Sequence, residues 1–212
     1  MKINLLLNNN FFRDHCTYSF IYPIINSIHL IRESGNDLNF FYDVKKNIFD
    51  CDILIIDSRY TGKIKNINEF IDLVSKNKSR NLKLIFVDTA DNSGQIKTNF
   101  LHLTDIYWKG QILKNKHEYM KPHYGGRLFT NYYGKKFNIK DKNEQISEPV
   151  KNKNLLKKIK ICWNMGLCDH GKFSHIKQKL YSIFKLNLFI NNTKSFFSPH
   201  KKRELDISCR IG

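Results

Sequence analysis

The sequence predicts an α/β protein built on a mostly parallel sheet with helices on both faces. Three observations predict it. Short continuous apolar runs at residues 3–7, 51–56 and 82–87 each stop at a polar residue. Segments with apolar residues at helical spacing, 18–31 and 66–76, separate those runs. Strands that are apolar without alternation are covered on both sides, and parallel neighbours need helical crossovers.

Each element has its own signal. Residues 3–7 read as a buried strand closed by Asn8, Asn9 and Asn10. Ile21, Ile24, Ile25, Ile28 and Ile31 share a helical face, and Ser34-Gly35-Asn36 supplies the stop. Pro23 fits only a first turn, so the helix proper is expected to begin near it. Residues 38–42 form a second strand candidate, and residues 51–56 a third that ends at Asp57. Asn66 or Asn68 can cap a helix that aligns Ile67, Phe70, Ile71 and Val74. Residues 82–87 give a fourth strand, ending at Asp88. Beyond residue 95 the pattern loosens. It reads as a short helix at 112–119, an ordered loop at 121–134 and a basic solvated connection at 135–160. A strand at 159–163, a helix at 173–184 and a short strand at 205–209 follow. The expected organisation is a Rossmann-like domain over 1–190, with 191–212 leading into another domain.

The 212 residues carry 36 Lys plus Arg against 19 Asp plus Glu, a formal net charge of +17. An acidic solvating protein is excluded, and an anionic partner fits. The chain also holds 24 Asn and a single Ala, Ala90, so part of the basic bias reflects A/T-rich coding. No apolar run reaches 18 residues and no h-region follows Lys2. Five Cys without a C-x-x-C spacing argue against a disulfide scaffold and a zinc ribbon. The expectation is a reduced, cytoplasmic chain, with peripheral contact at an anionic membrane face through its basic connector.

Three stretches can carry chemistry. The strand end Asp88-Thr89-Ala90-Asp91-Asn92-Ser93-Gly94 places two carboxylates three residues apart. Such a turn can bind sugar hydroxyls or act as a general base, with Asp88 and Asp91 as catalytic candidates and Ser93 as a binding one. The second stretch joins Tyr107-Trp108-Lys109 to Tyr124-Gly125-Gly126-Arg127. The glycine pair allows positive φ or close backbone approach, Arg127 and Lys109 can grip phosphate, and Tyr124 can stack on a sugar. In the third, Trp163 and Asn164 stand at a strand end. Cys162, Cys168 and His170 do not complete a tetrahedral metal site, so no metal is assigned. The chain has no G-x-G-x-x-G, Walker or G-x-S-x-G sequence, so no cofactor is assigned either. The basic residues are dispersed and the aromatics follow no RNA-recognition pattern, which makes nucleic acid the weaker partner.

Four blocks, residues 87–94, 105–113, 119–133 and 163–167, occur in one order. Together they resemble the N-terminal half of bacterial glycosyltransferase-like proteins from surface-polysaccharide gene clusters. The resemblance rests on the ordered set and runs over the whole chain. It implies a GT-B architecture, in which an N-terminal domain binds the acceptor and a C-terminal domain binds the nucleotide sugar. The expected partner is a saccharide or lipid-linked saccharide acceptor, with a nucleotide sugar only if a second domain supplies its site. Residues 198–210 look like the entrance to that second domain, so a chain lacking the donor half is expected. The competing expectation is a non-catalytic basic module for RNA or an anionic membrane surface.

Overall fold

A computed structural model describes residues 1–8, 14–78, 81–90, 92–139 and 145–163. The expected helix at 173–184, the strand at 205–209 and the boundary at residue 190 lie outside them. Among the described residues six strands form one sheet: β1 (Lys2–Leu6), β2 (Asp37–Phe41), β3 (Ile53–Asp57), β4 (Lys83–Asp88), β5 (Ile106–Lys109) and β6 (Ile159–Ile161). Every pairing is parallel and the order is β2-β1-β3-β4-β5-β6. The fold is α/β and Rossmann-like, with the strand order reversing between β1 and β3.

The two faces of the sheet have separate cores. On one face α1 (His15–Asn26) lays Phe20, Ile21 and Ile25 over Leu5, Leu7, Ile55 and Val87. On the other, Phe70 and Val74 of α4 (Ile67–Asn77) and Phe100 and Leu101 of α5 (Thr98–Leu103) cover Leu6, Ile56, Leu84 and Phe86. Continuous apolar strands are thus buried twice, as their composition requires. Asn4, in the middle of β1, is satisfied inside this core by donating to the Ile48 carbonyl at 2.8 Å.

The capping signals act as read. The Asn66 side chain accepts from the Glu69 amide at 3.3 Å and donates back to the Glu69 carboxylate at 2.6 Å. A second short helix, α2 (Ile28–Glu33), closes at Gly35 with φ +76. There the Gly35 amide bonds Arg32 O and the Asn36 amide bonds Ile31 O, a Schellman arrangement.

The structure departs from these expectations at three places and adds one strand that was not assigned. The first helix starts at His15, eight residues before Pro23, because Asp14 caps it by accepting from the amides of Cys16 and Thr17. Pro23 costs one internal bond, and the helix ends three residues later. The stretch around Trp108 is strand β5, whose partners β4 and β6 lie far away in sequence. Inside the expected loop lies α6 (Leu128–Lys136), and residues 150 and 156 of the expected solvated connection are buried.

Candidate functional site

In a doubly wound sheet the crevice lies beyond the carboxyl ends of the strands, where the strand order reverses. Here that point joins the ends of β1 and β3. The next short helix, α3 (Ser58–Thr61), begins directly after β3, and its cap Asp57 accepts from the Arg59 amide at 3.0 Å. The Thr17 hydroxyl donates to the other Asp57 oxygen at 2.5 Å. Arg59 reaches across to Cys16 Sγ at 2.9 Å and Thr89 Oγ1 at 3.3 Å, with Asp14 at 3.9 Å. Lys63 donates to Asn8, which lies just past β1. One polar network thus links the ends of β1, β3 and β4 with the start of α1. Asp57 is fully buried, and that burial pushes its carboxyl up to about 6 against the bonds from Thr17 and Arg59. A buried, perturbed carboxyl at a switch point is a candidate functional position.

Asp88 belongs to a different cluster. It lies at the end of β4 on the opposite face, 2% exposed. Its Oδ2 accepts from Lys109 Nζ at 2.8 Å and from the Tyr107 hydroxyl at 2.7 Å, and its Oδ1 accepts from the Ala90 amide at 3.1 Å. The Tyr107 oxygen in turn accepts from the Lys97 amide at 3.1 Å. Two expected site residues, Asp88 and Lys109, are therefore brought together as a buried ion pair. Both Asp88 oxygens are engaged within the protein.

The glycine loop meets the strand-end loop. The Gly94 amide donates to Gly126 O at 3.0 Å, and the Tyr119 hydroxyl donates to Ser93 O at 3.0 Å. Gly125 and Gly126 have φ +62 and +65, and a side chain on Gly126 would run into Asn92. Ser93, Tyr124, Gly125, Gly126 and Arg127 are thus gathered in one region, where Asn92 Oδ1, His123 Nδ1 and the Tyr124 hydroxyl are buried without hydrogen-bond partners. Gly126→Ala is expected to lower unfolding stability by about 1–3 kcal/mol through positive-φ strain and the Asn92 clash. Urea denaturation reads this, and an unchanged midpoint would contradict the packing.

Trp163 is elsewhere. Its ring stacks on Phe20 at 4.9 Å, meets Trp108 edge-on at 5.6 Å and donates from Nε1 to Phe20 O at 3.0 Å. It packs on the α1 face, away from Asp88 and Lys109. Asp91, Asn164, Cys168 and His170 lie outside the described residues. Cys162 and Cys51 are pushed up to about 12 and about 11 by burial, which keeps both as thiols at neutral pH.

Beside the two carboxyl clusters lies a cavity of about 300 Å³ between the start of α4 and the turn into α5. Thr61, Gln95, Lys97, Thr98, Asn99 and Glu148 give it polar walls, and Ile67, Ile96 and Phe100 give it apolar ones. Lys97 is half-buried, and burial lowers its ammonium below the usual lysine range. Glu148 accepts from Thr98 Oγ1 at 2.5 Å. The sequence reading did not single out Lys97, Thr98, Glu148, Thr17 or Arg59. The strand ends at Asp57 and Asp88 were the signals that pointed toward this edge.

Compared with known protein families, curated proteins and solved structures, the chain matches none. No helix among the described residues is long and apolar enough to cross a membrane.

Proposed function

We propose that this chain is the acceptor-binding part of a glycosyltransferase-like protein of polysaccharide or glycoconjugate assembly, with hexosyl transfer requiring a nucleotide-sugar site on a second domain. The cavity at the carboxyl edge is the observation that carries the reading. It offers donors from Lys97, Gln95 and Asn99, and acceptors from Glu148, Thr61 and Thr98. One cation and one anion face the same space, which suits a neutral ligand rich in hydroxyls better than a free phosphate. The Phe100 ring and the flanking isoleucines supply the apolar wall that a sugar ring uses.

In this reading Lys97 and Glu148 orient the acceptor. Deprotonation of its hydroxyl needs a carboxylate, and Asp91 is the candidate, since Asp88 is buried with both oxygens engaged; Arg127 is the phosphate contact. Saturation-transfer NMR with a panel of methyl glycosides and short oligosaccharides tests the binding step. At least one saccharide should bind the full chain, and Lys97→Met or Glu148→Gln should weaken it about tenfold, the loss of one or two buried polar contacts. UDP- and GDP-sugars should show no comparable affinity. Saccharide binding indifferent to both substitutions, or none at all, would sink the reading.

A further inference from the structure

The α6 helix is turned inside out. Its inward side is built from small and polar groups: Gly134 is buried against the Tyr124 ring, Asn131 accepts from the Tyr124 amide at 3.2 Å, and Thr130 packs on Gly125. Its aromatic side faces solvent. Phe129, Tyr132, Tyr133 and Phe137 are 58%, 57%, 49% and 61% exposed. Their spacing of three, one and four residues puts them on one helical arc. Leu128 before them and Ile139 after them are exposed too. Burial of apolar surface is the main force of folding, so a helix that presents its large side chains outward holds them for another surface.

Charge identifies that surface. From Tyr119 to Lys140 the sequence has no Asp or Glu and five cations: Lys121, Arg127, Lys135, Lys136 and Lys140. Lys136 lies 5.7 Å over Tyr132 and 5.5 Å over Phe137, and Arg127 lies 5.7 Å over Phe129. Lys136 and Arg127 are therefore interleaved with the exposed rings. A second copy of the chain would oppose this positive face with an identical one. RNA would use the rings for stacking but gains nothing from Leu128 and Ile139. An anionic bilayer uses every component: aliphatic and phenyl groups at the acyl boundary, tyrosine hydroxyls among the headgroups, and ammonium groups on phosphates. We infer that α6 and its flanks form an interfacial surface that docks the protein on an anionic lipid bilayer. This goes beyond the saccharide reading and does not depend on it.

Co-sedimentation of the full chain with vesicles tests it. Binding is expected to equimolar phosphatidylglycerol and phosphatidylcholine, to be weak on phosphatidylcholine alone, and to fall as salt is raised. The triple variant Phe129→Ser, Tyr133→Ser, Phe137→Ser should bind about tenfold less or weaker still, with an unchanged circular dichroism spectrum, because its targets are exposed. Lys135→Gln with Lys136→Gln should lose about tenfold as well. Phe129→Trp gives a readout that leaves the apolar face intact, since its emission should shift to the blue on anionic vesicles. Undiminished binding by the triple variant overturns the inference, as does no shift at position 129. Equal binding to neutral vesicles, aromatic-dependent binding of an RNA oligonucleotide in preference to vesicles, or a triple variant that converts a dimer to a monomer would do the same.

Discussion

Replacing Lys109 by Met is expected to destabilise the fold by about 3–5 kcal/mol, because it leaves the Asp88 carboxylate buried without its counter-ion. The pair is 2.8 Å apart and Lys109 is 0% exposed. The methionine itself fits, since its chain follows the lysine stem closely. The loss therefore reports the stranded charge more than the packing. Adding Asp88→Asn to Lys109→Met should return most of the stability, leaving the double variant within about 2 kcal/mol of the parent. An asparagine carbonyl can still accept from the Tyr107 hydroxyl or the Ala90 amide. Urea denaturation at neutral pH measures all three proteins. A single variant costing less than about 1 kcal/mol would mean that Asp88 finds water or another cation.

Asp57→Asn is expected to stabilise the protein at neutral pH. The folded carboxyl sits at about 6, above its ordinary 3.8, because burial disfavours the charge. A raised carboxyl binds its proton more tightly in the folded state. Its contribution to stability is therefore full below about 4, declines as pH rises from there, and is gone above about 6. The rise from 3.8 to about 6 corresponds to roughly 3 kcal/mol at most. The asparagine can keep both bonds, accepting from the Arg59 amide and donating to the Thr17 oxygen, which then acts as acceptor. At pH 7.5 the variant should exceed the parent by about 1–3 kcal/mol, and at pH 4 the two should converge. Denaturation midpoints across pH 4–8 give the comparison, and a constant difference between the two proteins would exclude the titration. Stability given up at a buried carboxyl beside the strand-order reversal is the pattern expected of a position kept for activity.

The first half of the fold was legible because local and global signals agree there. Apolar runs, Asn66 and Gly35 each specify their element without help from distant residues. β5 was illegible for the opposite reason. Tyr107 and Lys109 both point to one face, and a lysine in that place makes sense only once Asp88 is opposite it. The ion pair is a tertiary fact, twenty-one residues apart. α6 was misread because the Gly pair just before it and its own aromatics look like a loop, and its outward apolar face reverses the usual pattern. Asp88 and Lys109 could be named as important from residue type alone. Their enclosure could not, and neither could the cavity, whose walls come from residues 61–67, 95–100 and 148.

The strand order also bears on how the chain acquires its shape during synthesis. Once β3 has settled beside β1, each later strand docks on the one made just before it, from β4 through β6. Nothing after the reversal needs to be threaded between strands already paired. The strand order therefore lets the sheet extend at a single edge in the order of synthesis. β1 is the exception: it must wait about fifty residues for its second neighbour, with one apolar margin open in the meantime. Until β3 is made, that margin is a row of unpaired backbone groups on which another chain could pair.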